Sequence, residues 1–260
     1  MSDALVVREV TDPHDPAIAG FGRMQRAAYF APETLIPAEY VPQMLGGSGQ
    51  TGSRRNFLIV AEIDGQVVGG TLFHWLAEAG SGFSSFMGVD QQLRRRGIAR
   101  RMHEERFRVL DRAAGGRAPG VFIDVVNPSR MSPRELDRER RAGSEPWDRR
   151  RAFARLGFGQ VDIRYEQPVG GPNGGPVTIL DLLYCPHEPA ESVSTSLVVA
   201  TMQAYWSPWL GQTAARRHAR ELESRAEGRT MLALISPVPQ RLGTDVARGM
   251  GGAPSIDGDT

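Results

Sequence analysis

A short turn between a predicted strand and a predicted helix carries the residues best suited to chemistry. An apolar run that ends at Val89 is followed by a polar turn, three consecutive arginines and the sequence Gly97-Ile98-Ala99. Free backbone N–H groups at a helix start attract anions, and the helix dipole strengthens that attraction. Gly97 lets a phosphate approach the backbone without meeting a Cβ, and Ala99 keeps a second position small. The turn therefore predicts a phosphate site, with an ordinary strand-to-helix loop bearing solvated arginines as the alternative.

The spacing of this turn is similar to a motif of the GNAT superfamily of N-acetyltransferases. Arg94-x-x-Gly97-x-Ala99, five residues after Val89, resembles the Arg/Gln-x-x-Gly-x-Gly/Ala motif of that family. The resemblance implies that the turn holds the pyrophosphate of acetyl-CoA and that the strand end binds the pantetheine arm through its main chain. Arg95 stands where the family often has glycine. The implied cofactor residues are Met87, Gly88, Val89, Arg94, Arg95, Arg96, Gly97, Ile98, Ala99 and Arg100, with Asn127 after the next strand.

A second segment supports the resemblance but lacks the family's usual acid. Residues 152–158, AFARLGF, are similar to the closing helix whose usual form is Tyr-x-x-x-Gly-Phe, and Phe153 stands at the position of the tyrosine. Two further positions, which hold a glutamate base in some relatives, are Phe122 and Phe83 in this chain. Phenylalanine cannot move a proton, so the family's catalytic assignment does not carry over.

Three other residues are the candidates for catalysis. Acyl transfer from a thioester to an amine requires a proton acceptor and a donor to the oxyanion, which a backbone N–H near Gly88 or Val89 could supply. Strand alternation places Asp124 on the side that resembles the acceptor side, as a base or as a partner of an arginine. His74 could act as a base near neutral pH, and Tyr165 could donate a proton. A lone strand histidine and a surface tyrosine are more often structural.

The elements that must position these residues alternate between strands and helices. Asp64-Gly65 predicts a two-residue hairpin turn, and residues 4–185 follow the element order expected of the GNAT fold. The fold class is α/β (α+β), with a mixed central sheet flanked by helices, a C-terminal helical extension and an extra strand. Predicted strands are 4–10, 57–63, 66–75, 83–89, 120–126, 161–166 and 177–184, and predicted helices are 16–30, 32–45, 98–113 and 151–156, with 130–151 partly helical.

Two segments are additional to the family pattern. Residues 128–148 are densely charged, begin with the helix start Ser132-Pro133, and lie where the resemblance implies walls of the acceptor site. Beyond residue 185, helical spacing at 192–206 and 213–227 precedes a strand at 230–236. We therefore divide the chain into a GNAT domain at 1–189, an extension at 190–236 and a disordered tail at 237–260. We expect the apolar extension to pack on the core or across a homodimer interface, with its strand on a sheet edge.

Composition sets the class of protein. The chain has 260 residues, 40% hydrophobic content and a net charge of +1, so it can bury a substantial core and has no global field for nucleic acid. The single Cys185 excludes an internal disulfide and fits a reducing compartment. No signal peptide or membrane span is predicted. We expect a cytoplasmic protein with no metal, no nucleic acid and no membrane partner.

The function implied is transfer of an acetyl group from acetyl-CoA, as cosubstrate, to the amine of a small molecule or peptide. Three hypotheses stay open. The enzyme could be active through Asp124, water or positioning alone; it could be a CoA-binding module that has lost catalysis; or it could transfer longer acyl chains, with the three phenylalanines lining an apolar channel.

Overall fold

The computed structural model describes residues 4–47, 49–169 and 175–239, which form one nine-stranded mixed sheet with helices on both faces. The strands are β1 (Val6–Val10), β2 (Arg54–Ile63), β3 (Gln66–Leu76), β4 (Ser81–Val89), β5 (Gly120–Val126), β6 (Gly159–Val161), β7 (Leu180–Pro186), β8 (Ser192–Ser194) and β9 (Met231–Ile235). The helices are α1 (Ala17–Ala28), α2 (Val41–Leu45), α3 (Ile98–Ala114), α4 (Pro133–Arg141), α5 (Asp148–Arg155), α6 (Thr195–Leu210) and α7 (Gln212–Ser224). The sheet order is β1-β2-β3-β4-β5-β7-β6-β9-β8, and β4–β5 is its parallel pair.

Alternating side chains on the strands divide the core between two faces. On β2, Ile59 and Ala61 pack with α3 and α5, whereas Leu58 and Val60 pack with α1 and α2. Leu76 of β3 faces the same side as α1 but packs with α6 and α7. One face of the sheet is therefore covered by α3 and α5, and the other by two separate helix pairs, α1–α2 and α6–α7.

The sheet opens between β4 and β5. These strands pair only over Gly82–Ser84 and Val121–Ile123, so the rest of β4 is paired with β3 alone. A register shift against β3 leaves Ser85 as an extra residue, because Phe73 pairs with Ser84 and the preceding Leu72 pairs with Phe86. A bulge of this kind bends and twists its strand. β4 consequently leaves β5 at Ser85 and opens a gap in the sheet.

Most predicted elements are present, but several differ in extent, among them the helical stretch expected at 192–206, whose first three residues form β8. The single helix expected over 32–45 is instead two 3-10 turns followed by the short α2, because Pro37 and Pro42 lack the N–H that a helix interior requires. The strand expected over 161–166 ends at Val161, where the N–H of Ile163 turns back to the Val161 carbonyl at 2.8 Å. Tyr165 therefore lies in an irregular segment and not on a sixth strand.

The C-terminal extension is built into the sheet of the same chain. β9 pairs antiparallel with β6 on one side and with β8 on the other, and α6 buries Trp206, which is 1% exposed. Packing on the core, one of the two arrangements expected, is thus present within the chain; a homodimer stays a prediction. Of the predicted tail, residues 240–260 lie outside the described residues. Among the described helices, none has the length and apolar character that a membrane span requires.

Candidate active site

The gap between β4 and β5 continues into a cleft of about 460 Å³. Its floor is the end of β4 with the following turn and the start of α3, and α5 forms the opposite wall. Nine of the predicted cofactor residues line it, namely Met87, Gly88, Val89, Arg94, Arg95, Gly97, Ile98, Ala99 and Arg100. The structure therefore brings most of the predicted phosphate turn and the strand end into one cavity.

The turn has the geometry of an anion site. Gly97 caps α3 with φ +79°, and a Cβ at this position would meet no atom within 4 Å. The first helical hydrogen bond runs from the N–H of Arg101 to the Gly97 carbonyl at 3.1 Å. The N–H groups of residues 98–100 lie before this first helical hydrogen bond, so no carbonyl of the helix accepts from them. They point out of the N-terminus of α3 and are free to bind an anion at the turn. Arg95 also has a left-handed backbone, with φ +67°, which explains why glycine suits this position.

Hydrogen-bond alternation on β4 exposes backbone donors to the cleft. The N–H of Asp90 donates to the Val68 carbonyl of β3 at 2.8 Å. Successive N–H groups of a strand point to opposite sides, so those of Val89 and Met87 point away from β3 and into the gap. Val89 is thus the donor best placed for a ligand carbonyl, within the pair of residues expected from the sequence.

Two predicted cofactor residues lie outside the cleft. Arg96 is exposed and is not part of its lining. Asn127 uses its amide locally, because Nδ2 donates to Asp181 at 2.8 Å and Oδ1 accepts from the N–H of Ser129 at 3.0 Å. The turn role that the sequence allowed for Asn127 is therefore the one its contacts show.

The 128–148 segment contributes to the cofactor cleft rather than to a wall on the acceptor side. Ser144 and Asp148, with Arg149 of α5, line the cleft. Arg149 binds the buried Glu139 of α4 at 2.7 Å. Burial, followed by the charge of Arg149, lowers the pKa of Arg94, which indicates that positive charges crowd this cleft. The charge density of the segment was visible in the sequence, but the direction in which it folds was not.

The three phenylalanines do not share one role. Phe153 lines the cleft and packs edge-on against Phe158 at 5.2 Å between ring centres. Phe83 and Phe122 are fully buried: Phe83 stacks on Tyr205 of α6 at 3.7 Å, and Phe122 packs on Tyr184 at 4.3 Å. The hypothesis that all three line an apolar acyl channel receives no support from Phe83 and Phe122, because both are fully buried.

Asp124 lies on the predicted face, between the two helix pairs of that side. It keeps part of its surface open, while burial of its carboxyl group raises the pKa of Asp124 to about 6. The Tyr165 hydroxyl oxygen lies 3.4 Å from Asp124 Oδ2 and closer to Gln167 Oε1, so these two acceptors compete for its one hydrogen. Tyr165 is fully buried, and burial holds its pKa well above 10. Asp124 and Tyr165 are therefore in contact, as a carboxyl group that titrates near pH 6 and a phenol that stays neutral.

His74 is fully buried and is part of a side-chain hydrogen-bond chain. Its Nδ1 lies 2.7 Å from Asn56 Oδ1, and its Nε2 lies 2.6 Å from Ser85 Oγ. Burial, followed by the charge of Arg54, lowers the pKa of His74 well below 6.5. The imidazole is thus neutral and enclosed, which suits a positioning role and makes it a weak base.

Sequence reasoning missed three residues that surround the predicted ones. Tyr205 Oη lies 3.1 Å from Ser85 Oγ, and Ser85 is the bulged residue at which β4 leaves β5. Tyr29, just after α1, lines the cofactor cleft, and burial, with a smaller contribution from the charge of Asp124, raises the pKa of its phenol. No motif marked these residues, since Tyr29 and Tyr205 come from elements distant in sequence and Ser85 is distinguished only by the bulge.

Residues 21–129 match the family model described as the acetyltransferase (GNAT) family. No curated protein sequence matches the chain. Among solved structures, an aminoglycoside 6'-N-acetyltransferase complexed with coenzyme A is similar at 16% identity, with 71% of this chain and 98% of that chain covered and a TM-score of 0.48.

Two further structures are similar over the same share of the chain. One is a GNAT family acetyltransferase from Elizabethkingia anophelis with acetyl-CoA bound, at 16% identity, 71% and 99% coverage and a TM-score of 0.42. The other is an acetyltransferase of the GNAT family from Streptococcus pneumoniae, at 15% identity, 70% and 99% coverage and a TM-score of 0.43. The phosphate turn lies within the range that the family model matches. Residues 21–129 of this chain are similar to the GNAT family of acetyltransferases.

Proposed function

We propose that this protein transfers an acetyl group from acetyl-CoA to the primary amine of a small molecule or peptide. The observation that carries the proposal is the cleft that joins the phosphate turn to the end of β4, with Asp124 on the neighbouring strand β5. The turn supplies free N–H groups and arginines for the pyrophosphate. The β4–β5 gap supplies an apolar slot with backbone donors for the pantetheine arm, so the thioester would arrive near Ser85 and Asp124.

The residues present support a direct transfer. The amine attacks the thioester carbonyl, a backbone N–H of β4 that faces the gap stabilises the oxyanion, and Asp124 accepts the amine proton as the C–S bond breaks. With its pKa raised to about 6, Asp124 is charged at neutral pH and is a stronger base than an ordinary aspartate. The thiol has a solution pKa near ~8.5, so it leaves as a thiolate without a dedicated acid. Phe153 is then compatible with catalysis.

A CoA-binding module that has lost catalysis is the second candidate, and Phe153 in place of an acid is the observation that favours it. The test combines two measurements on the full chain. Calorimetry measures CoA binding, and thiol release from acetyl-CoA is followed with a panel of small amines and amino-terminal peptides. Amine-dependent thiol release supports the transferase, whereas CoA binding without it supports the module.

Acyl length is tested in the same assay with acetyl-CoA, butyryl-CoA and octanoyl-CoA. Because Phe83 and Phe122 are covered by α6, we expect acetyl-CoA to give the highest kcat/KM. A preference for octanoyl-CoA would show that the buried face opens and would contradict the acetyl assignment.

A further inference from the structure

The amide of Asn56 fixes the direction of a buried hydrogen-bond chain. Its Nδ2 donates to the carbonyls of Met44 at 3.0 Å and Gly49 at 2.6 Å. Its Oδ1 accepts from Arg54 Nε at 3.0 Å and faces His74 Nδ1 at 2.7 Å. An amide oxygen can only accept, so the hydrogen of the neutral His74 must be on Nδ1. Two backbone carbonyls and Arg54 thus select the tautomer of His74.

The tautomer of His74 in turn decides which group donates in its contact with Ser85 and in the contact of Ser85 with Tyr205. With its hydrogen on Nδ1, His74 can only accept at Nε2, so the Ser85 hydroxyl donates to it across 2.6 Å. The Tyr205 phenol lies 3.1 Å from Ser85 Oγ. Since the hydrogen of Ser85 is already committed, Tyr205 must be the donor in this contact. The phenol oxygen of Tyr205 is left with free lone pairs and no free hydrogen.

Tyr205 is held rigidly beside Asp124. Its ring stacks on Phe83 at 3.7 Å between ring centres. The Arg54 guanidinium lies 5.6 Å from the centre of the Tyr205 ring. Burial, followed by the negative charge of Asp124, raises the pKa of Tyr205, so the phenol stays neutral throughout the working pH range. Ser85 and Asp124 each keep part of their surface open. A ligand at this point meets a carboxylate and a phenol oxygen, both of which accept hydrogen bonds.

We propose that Tyr205, which the C-terminal extension brings to the gap between β4 and β5, is a catalytic residue whose oxygen accepts an N–H of the acceptor amine next to Asp124. Asn56, His74 and Ser85 are positioning residues that keep the phenol hydrogen turned away from the amine. One amine N–H is oriented by Tyr205 and another faces Asp124, which directs the nitrogen lone pair toward the thioester. The inference rests on the proposed acetyl transfer and assigns part of its acceptor site to α6.

The first test compares two tyrosine variants from the same buried cluster. Tyr205→Phe should raise KM for the amine about tenfold and lower kcat several-fold, with CoA affinity unchanged. Tyr184→Phe is the matched control, because Tyr184 belongs to the same cluster but its hydroxyl donates to the Pro119 carbonyl at 2.9 Å. The control should keep wild-type kinetics. Equal kinetics for Tyr205→Phe and wild type would overturn the proposal.

The second test uses the pH profile and begins with a variant that leaves Tyr205 in place. Three neutral tyrosines face Asp124, namely Tyr29, Tyr165 and Tyr205, while Arg149 and Arg54 lie behind the rings of Tyr29 and Tyr205. Ser85→Ala frees the Tyr205 hydrogen to donate to the Asp124 carboxylate. Donation to the charged form lowers its pKa, so the acid limb of kcat/KM should move to lower pH by about one unit.

Adding Tyr205→Phe to Ser85→Ala should abolish that shift, because no freed hydrogen remains. An acid limb that stays in place in Ser85→Ala, or one that moves equally in the double variant, would overturn the role of the chain. This outcome can be distinguished from a failure of the proposed function. A wild-type protein without amine-dependent thiol release would contradict both the acetyl transfer and the role of Tyr205. An active wild type with unaffected variants would contradict only the role of Tyr205.

Discussion

The two ends of the proposed active site are built in different ways. The cofactor end consists of contiguous backbone, from Met87 at the end of β4 to Arg100 in the first turn of α3. The acceptor end consists of side chains from β3, β4, β5, the segment after β6, and α6, which meet around Asp124. Backbone sites require a conformation and small residues at fixed spacing, whereas side-chain sites require the whole fold.

Removing the C-terminal extension should have the largest effect, because it deletes α6, the helix that carries Tyr205 at the acceptor end. Truncation after Pro189 deletes α6, α7 and β9 and uncovers Phe83 and Phe122, which are 0% exposed. At roughly 2 kcal/mol for each fully buried large side chain, a few such exposures remove much of a typical stability of about 5–15 kcal/mol. We expect loss of a cooperative thermal transition, measured by circular dichroism.

Truncation after Pro239 is the control, because it keeps every contact described above, and it should retain the wild-type Tm. A chain cut after Pro189 that stays soluble, keeps its Tm and binds CoA would show that the cofactor end folds independently of α6. The extension would then be an undocked appendage.

Asp124→Asn should affect the acceptor end alone. A general base typically contributes a factor of about 10² to 10⁴, so we expect kcat to fall about 100-fold with CoA affinity unchanged. In the wild type, kcat/KM should rise as the pH passes about 6, where the carboxyl group of Asp124 ionises; the variant should lack that limb. Full activity of the variant from pH 6 to 9 would assign the proton transfer to another group.

The same substitution should stabilise the protein above pH 6. Burial raises the folded-state pKa of Asp124 from 3.8 to about 6, so the native state binds the proton more tightly than the unfolded state. The wild type therefore loses stability as the pH rises from about 4 to 6. Two pKa units correspond to about 3 kcal/mol, and we expect Asp124→Asn to gain about 2 kcal/mol at pH 7.5 and little at pH 4. Urea denaturation at both pH values measures this, and equal differences would show that Asp124 is solvated.

The sequence predicted the cofactor end because its requirements are local. Gly97 at φ +79° and the arginines around it are consecutive residues, and their spacing alone located the turn. The face of Asp124 also followed from the sequence, since strand alternation fixes the face of a residue without reference to other elements, and its catalytic role stays a prediction. The side-chain contacts of Asn127 could not be predicted, because its amide hydrogen-bonds to Asp181, 54 residues away.

The proposed acceptor end could be predicted only in part, because its contacts are long-range. Ser85 and Tyr205 are 120 residues apart, and no local pattern on α6 distinguishes a tyrosine at the active site from one in the core. The bulge that exposes Ser85 depends on the register between β3 and β4, which the alternation of either strand does not reveal. The irregular course after Val161 likewise follows from a backbone hydrogen bond and not from composition.

Gly97→Val should weaken CoA binding by more than tenfold. Valine rarely adopts the left-handed backbone at φ +79°, and its side chain would enter the open space above the turn. Gly80→Val is a matched control, since Gly80 also has φ +63° and open space but lies in the β3–β4 turn, away from the cleft. Both variants should lose comparable stability, and only Gly97→Val should lose affinity in calorimetry. Equal affinities for the two variants would locate the pyrophosphate elsewhere.

The smallest effect is expected for substitutions of Phe153. This residue stands at the position of the family's tyrosine acid, but it lies at the cofactor end, where we propose no proton transfer. Phe153 is 5% exposed and packs on Phe158 in the wall of the cofactor cleft. Phe153→Leu keeps that wall apolar, so stability should fall by about 1 kcal/mol, while thiol release stays within a few-fold and its pH profile is unchanged. Phe153→Tyr adds a phenol at the same place and should not raise kcat, because the thiolate leaves without an acid. A faster Phe153→Tyr variant with a new basic limb would show that proton transfer also takes place at the cofactor end, and the division between the two ends would then be wrong.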